Sequence, residues 1–223
     1  MLSQNAVSDR IVTVKLNTKS APLNIIQVYA PTSDSEEEEI EKFYTDLQNV
    51  KNKFHKIEMC IIMGDFNAKI GEGEDRECGI GPYGLGERNE RGDLLASFCQ
   101  ANNLTVTNTL FQHRNSRRYT WISPGDRDIN QIDFILIDTA WKTIVTNSRT
   151  RPAVDCESDH ILVWANLRMK AYRNSKRTTP HLKYDLEKLQ IEEFREEYAV
   201  ETRNRYTALL DNWRINERMP DET

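Results

Sequence analysis

The sequence predicts a mixed α/β sandwich followed by a charged helical tail, and three observations predict it. Short apolar runs with period-two alternation interleave with stretches of helical period in the first half. The second half strings strands together without helices between them, which fits a layered sandwich and not a simple doubly wound sheet. Beyond residue 167 apolar periodicity gives way to dense charge.

Residues 10–16 alternate, and 23–29 follow after Ala21-Pro22, so the two read as adjacent strands of a hairpin that Ala30-Pro31 stops. Ser35 lies three residues before Glu38, the spacing of a capping box, and Ile40, Phe43, Tyr44, Leu47 and Val50 share one helical face. Glu36 to Glu39 suit a solvated first turn facing the positive end of the helix dipole, better than a set of metal ligands. Met59 to Met63 read as a buried strand that ends at Gly64-Asp65-Phe66-Asn67. Residues 71–92 are glycine-rich with Pro82 and Tyr83, the marks of a long functional or mobile loop. A helix bearing Leu94, Leu95, Phe98 and Cys99 comes next, then a short strand at 104–106. Strands at 119–122 and 131–137 flank a turn at Ser123-Pro124-Gly125-Asp126, and 161–164 form the last strand.

The domain should close near residue 168. Arg168, Lys170, Arg173, Lys176 and Arg177 make a basic linker ending near Pro180. From 185 to 213, Leu186, Leu189, Phe194, Tyr198, Tyr206, Leu209 and Trp213 recur at helical intervals on a highly charged background. That is one long helix or a broken pair, too polar for a core of its own. The expected division is 1–168 for the domain and 169–223 for linker and tail.

Composition narrows the class. With 38% hydrophobic residues, 29% charged and a net charge of −5, the chain is no uniformly basic nucleic-acid coat, though a local basic groove is compatible with it. Cys60, Cys78, Cys99 and Cys156 lack any paired spacing for zinc or iron–sulfur ligation. Cys60 and Cys99 sit in apolar contexts, as buried free thiols of a reducing compartment do. No apolar run is long enough for a membrane and the start is not a signal peptide, so a soluble intracellular protein without a membrane partner is expected.

Three polar stretches interrupt the apolar pattern. Asp65 and Asn67 end a buried strand; as i and i+2 of an extended segment both would reach one phosphate. The plainer alternative is an Asx turn closing the strand. Asp133 breaks the apolar run 132–137, and a buried aspartate costs several kcal/mol unless it is paired. His160, beside Asp159 at the opening of another apolar run, is the available partner. An Asp–His pair holds the imidazole in one tautomer and makes it a general acid–base or a phosphate-oxygen donor. Carboxylates, an amide and an imidazole at strand ends suit metal-assisted attack on a phosphoester.

The ordered set Val28-Tyr29-Ala30-Pro31, Gly64-Asp65-Phe66-Asn67, Thr120-Trp121, Ile132-Asp133-Phe134 and Ser158-Asp159-His160 resembles the endonuclease/exonuclease/phosphatase superfamily. The spacer Gly84 to Gly92, with Asn108-Thr109-Leu110-Phe111-Gln112, is similar to the endonuclease domain of LINE-type, RTE-like retrotransposons over about residues 7–168. The resemblance implies two mixed sheets flanked by helices, and it implies roles. Tyr29 would contact the scissile phosphate and Asp65, supported by Asn67, would orient the attacking water. His160, oriented by Asp133, would hydrogen-bond the phosphate. Asp159 would lie near the divalent metal, Mg²⁺ or Mn²⁺. Trp121 would frame the DNA groove or serve as a core aromatic. Arg114, Arg117 and Arg118 would touch DNA backbone or form a solvated loop. The tail, with Asn204-Arg205-Tyr206, is similar to the linker before reverse transcriptase, which names DNA and a reverse transcriptase module as partners.

The sequence departs from the family at its front. The Asn-bearing first strand and the strand ending in a metal-binding Glu have no counterpart, so the sandwich is expected to lack its first strands, as if truncated. Loss of the metal anchor would cost several kcal/mol, hundreds-fold in rate at about 1.4 kcal/mol per tenfold. Loss of a strand with three inward side chains would forfeit about 5–9 kcal/mol of burial and leave a sheet for a partner to cover. The leading expectation is thus a Mg-dependent DNA phosphodiesterase of retrotransposon origin, nuclear when it acts on DNA and impaired by truncation. The alternatives are a catalytically inactive remnant serving as a binding module, and a phosphatase of small phosphoesters.

Overall fold

The computed structural model describes residues 3–18, 21–55, 57–73, 79–125, 128–154, 157–169 and 186–216, with side chains described to 207 in the last stretch. The chain divides into two units, Met1–Tyr172 and Arg173–Thr223. The first runs β1 (Ser3–Ala6), β2 (Ile11–Asn17), β3 (Pro22–Tyr29), α1 (Glu37–Asn52), β4 (Met59–Asp65), α2 (Glu90–Ala101), β5 (Leu104–Val106), β6 (Trp121–Ile122), β7 (Ile129–Asn130), β8 (Asp133–Asp138), β9 (Val145–Thr150) and β10 (Val163–Leu167). The second carries a 3-10 turn at Leu186–Gln190 and one long helix, α3 (Glu192–Asn216), whose Phe194, Tyr198 and Tyr206 are exposed. The basic linker from Lys170 to Pro180, Asp126, Cys78 and Cys156 lie outside the described residues, as do the side chains of Leu209 and Trp213.

A six-stranded mixed sheet ordered β1-β2-β3-β4-β8-β5 organises the first unit, with antiparallel pairs β9–β10 and β6–β7 beside it. The β2–β3 hairpin pairs Ile11 with Val28 through to Asn17 with Pro22. Strands β3 and β4 run parallel, as the α1 crossover between them requires. One sheet face packs Ile26, Val28, Ile62, Phe134 and Leu136 against Phe43, Leu47, Leu95 and Phe98 of the two helices. Each fully buried side chain of this size is worth about 1.5–3 kcal/mol. The opposite face meets β9–β10 around Leu23, Met59, Ile61, Ile137 and Val145. Farther along it Ile25, Met63 and Ile135 are half-buried and Gln27 is exposed, so among the described residues this face is only partly covered. Cys60 and Cys99 are buried cysteines. Among the described residues no helix is long and apolar enough to cross a membrane.

Three local expectations change, and two strands are present that the pattern missed. Helix α1 begins one residue later than the capping box implies: Glu36 is its extended N-cap and makes no side-chain cap. The strand expected at 131–137 starts two residues late, as β8 at Asp133, because Gln131 turns inward to accept the Leu85 N–H and the Thr120 hydroxyl takes the N–H groups of Ile132 and Asp133; the short β7 precedes it. The last strand starts at Val163, since His160 and Ile161 pair with Trp121 and Thr120. Strand β9 carries no apolar alternation and escaped the pattern; its inward Ser148 and Thr150 are buried hydroxyls, Ser148 bonded to Thr107. Edge strand β1 escaped for the same reason, being polar and exposed throughout.

Gly64 sets how closely β3 and β4 approach. Its φ is +144°, and a Cβ there would lie 1.9 Å from the Val28 carbonyl oxygen. Gly64→Ala is therefore expected to destabilise the chain by about 3 kcal/mol or more, read from the urea midpoint. A loss below about 1 kcal/mol would show that the two strands can part at no cost.

Candidate active site

Register brings the polar residues into one row. Tyr29 on β3 stands opposite Asp65 on β4, and Asp65 opposite Asp133 on β8, so three neighbouring strands place them side by side on one sheet face. His160 joins from the far side through its bridge to Trp121. Its Nδ1 is 3.0 Å from Asp133 Oδ2, and its Nε2 is 4.0 Å from Asp65 Oδ2. Thr120, fully buried, ties these segments together: its Oγ1 accepts the Asp133 N–H at 3.0 Å, and its carbonyl accepts the Ile161 N–H at 2.7 Å.

Asn67 reaches the site by a different route from an extended i, i+2 pair. The strand ends at Asp65, Asn67 has φ +47°, and its N–H donates to Asp65 Oδ1 at 2.8 Å, an Asx turn. Its Nδ2 donates to the Ala30 carbonyl at 2.8 Å, fastening the ends of β3 and β4 together. The turn and the site are thus one structure.

Tyr29, Asp65, Asn67, Trp121, Asp159 and His160 line one cavity of about 570 Å³. Tyr29 is half-exposed, with the Arg10 guanidinium 5.6 Å from its ring centre. Burial, with the Asp133 charge adding to it, pushes the Asp65 carboxyl up to about 6 against the opposing hydrogen bond from Asn67. Asp159 is fully exposed, and its carboxyl is held below the usual range chiefly by the Trp121 indole N–H, which donates to Oδ2 at 2.8 Å. Trp121 is thereby a rim residue, half-buried and bonded to Asp159, not a core aromatic.

The arginines expected at the substrate lie elsewhere. Arg118 spends its guanidinium on the Gly84 carbonyl at 2.8 Å and on Asn115 Oδ1, pinning the 83–84 loop. Arg114 is exposed and Arg117 half-buried in the same turn, and neither lines the cavity. The cation that does is Lys69, near Asn89, Thr32 and Ser33. Its only signal in the sequence was its place four residues after Asp65, in the turn that leaves the strand.

Residues 23–164, which contain every candidate named above except the most remote contacts of the first strands, match the model of the endonuclease-reverse transcriptase family. Over 177 residues the chain is 45% identical to craniofacial development protein 2 of Bos taurus, covering 79% of this chain and 30% of that protein. It therefore spans about a third of the length of that relative. Among solved structures, the endonuclease domain of TRAS1, a telomere-specific non-LTR retrotransposon, superposes with a TM-score of 0.53 at 20% identity, over 73% of this chain and 65% of that one. The 3′ phosphatase NExo from Neisseria, bound to product DNA hairpin, gives 0.51 at 19% identity over 72% and 65%. At such identities these two report the fold alone. The sequence match over the whole strand-end site supplies the rest: the chain belongs to the endonuclease/exonuclease/phosphatase family.

Proposed function

We propose that this chain is a phosphodiester hydrolase of retrotransposon origin that cleaves DNA with the help of a divalent metal. The observation that carries the reading is the row Asp65–His160–Asp133 at the ends of β4 and β8, of which Asp65 and His160 line a cavity together with Tyr29 and Asp159 while Asp133 stands behind the imidazole. Asp65, when ionised, orients the attacking water, and Asn67 holds that carboxylate through its N–H. His160 keeps its Nδ1 proton on Asp133 and turns Nε2 toward the substrate; in its protonated form Nε2 donates to a phosphate oxygen. The Tyr29 hydroxyl is free to bond a second oxygen.

The donor set fits a hard cation in one respect. Three carboxylates surround one imidazole, and the Asp65 carboxyl is already pushed up by burial and by Asp133. Among the described residues, however, no three side chains form a metal cage. Mg²⁺ commonly takes one or two carboxylates and completes its shell with water and substrate phosphate. Asp159, with Asp65, would hold it here, and the ion would supply charge stabilisation at the phosphate. The second reading is a module that binds DNA without cutting it. The partly buried apolar row of Ile25, Met63 and Ile135 is where a partner would lie over that face, a reverse transcriptase module among the candidates. A DNA substrate implies a nuclear site of action.

Nicking of supercoiled plasmid with Mg²⁺ separates the two readings. The unmodified chain is expected to nick, and Asp65→Asn and His160→Ala to fall by about 100-fold or more. Equal inertness of all three, with DNA still bound, would establish the binding module. Asp65 acts in its ionised form, so the nicking rate should fall as pH drops and the buried carboxyl takes up a proton, a bound cation moving that fall to lower pH. A rate that rises toward low pH would remove Asp65 from that role.

The same carboxyl carries a stability signature. Its folded value lies above the ~3.9 of a free aspartate, so the folded chain holds the proton more tightly. Stability is consequently given up as pH rises from about 4 to about 6 and stays lost above. In metal-free buffer Asp65→Asn is expected to raise Tm at pH 7.5 and to leave it unchanged near pH 4; the reverse order would contradict the burial of this group.

A further inference from the structure

Strand β5 pairs only with Leu136, Ile137 and Asp138, so the outer edge of β8 loses its strand partner on the side where Asp133 must be held. Outward-pointing backbone groups recur at every second residue, which leaves those of Ile135 and Asp133 next in line after Ile137. Both are taken by one side chain. The Ile135 N–H donates to Asn108 Oδ1 at 3.3 Å, and Asn108 Nδ2 donates to the Asp133 carbonyl at 3.0 Å. Asn108 is 3% exposed and sits in the 3-10 turn Thr107–Thr109 that follows β5 directly. A carboxamide carries donor and acceptor in one plane, as a peptide does, so it stands in for the missing strand.

We propose that Asn108 is a positioning residue for the Asp133–His160 pair: its side chain prolongs the β5 ladder along β8 and fixes where the Asp133 carboxylate meets the imidazole. The Asp133 backbone is then gripped from both sides, by Thr120 Oγ1 on its N–H and Asn108 Nδ2 on its carbonyl. Without Asn108, two buried backbone groups lose their partners. The end of β8 relaxes to find others, and Asp133 moves with it. The kinetic consequence rests on the function proposed above; the structural one does not.

Asn108→Leu keeps the volume and removes both hydrogen bonds; Asn108→Ala removes them and leaves room for water. Thr107→Val is the control, since Thr107 is the neighbour of Asn108 but spends its hydroxyl on a buried hydrogen bond to Ser148 of β9 at 3.0 Å. The readout is the imidazole ¹⁵N spectrum of His160 under conditions where the ring is neutral. The unmodified chain and Thr107→Val should show the proton fixed on Nδ1, and both Asn108 variants a tautomeric average. In plasmid nicking the Asn108 variants should lose about tenfold or more in kcat with KM nearly unchanged. In the unmodified chain the Ile135 amide should exchange as slowly as that of Ile137. An Ile135 amide that exchanges like an exposed loop, or a His160 spectrum identical in Asn108→Leu and the unmodified chain, overturns the proposal. If the unmodified chain nicks nothing, the proposed activity fails, while amide exchange and the imidazole spectrum still decide the role of Asn108.

Discussion

The hydrogen bond between Asp133 and His160 closes the site, and it can form only because three strands keep register. Side chains alternate between faces along a strand, so a one-residue slip of β4 would turn Asp65 toward the helices and a core residue toward the cavity. The parallel contact of β3 and β4 prevents that slip at the site end, where Gly64 admits the Val28 carbonyl and Asn67 ties to Ala30. Tyr29, Asp65 and Asp133 then cannot be placed independently of one another. His160 arrives by a separate path, as the partner of Trp121, and its bond to Asp133 ties that segment to the end of β8.

Stability and chemistry occupy different faces of the same sheet. The helix-covered face is dry and close-packed around Phe43, Leu47, Ile62 and Phe134. The other face holds the site at one end and a partly covered apolar surface behind it. Between the sheet and β9 the packing is polar: Thr105, Thr107, Thr109 and Ser148 are buried, and each finds a hydroxyl or carbonyl partner. Paired hydroxyls of this kind add little net stability but strongly disfavour any other alignment, since each mismatch would bury an unpaired group. This arrangement favours precise placement of the adjacent Asn108 and Asp133 over maximal burial.

The apolar strands and the two helices of the first unit were legible because their hydrophobic spacing is strong: Leu23 to Tyr29, Met59 to Met63, and the face Ile40 to Val50. Asp133 was legible as an aspartate that needed a partner, and His160 is that partner. What escaped has a common cause. Ser148 of strand β9, Asn108 and Thr120 are polar residues buried by their hydrogen bonds, and a pattern of apolar residues cannot announce them. Arg118 misled in the opposite sense: a loop arginine invites a phosphate, yet its guanidinium serves backbone carbonyls of its own chain. For Asn67 the structure shows the Asx turn and not the extended i, i+2 pair, and that turn is what delivers the residue to the cavity.

A double-mutant cycle between Asp133 and His160, read as unfolding free energy at neutral pH in metal-free buffer, tests the central claim most directly. With Asp133→Asn, His160→Ala and the double variant, a coupling of about 1 kcal/mol or more is predicted, since the two side chains share one hydrogen bond in a partly buried site. Additive losses, within about 0.3 kcal/mol, would mean that the pair is not formed in solution and that the strand ends do not assemble as described.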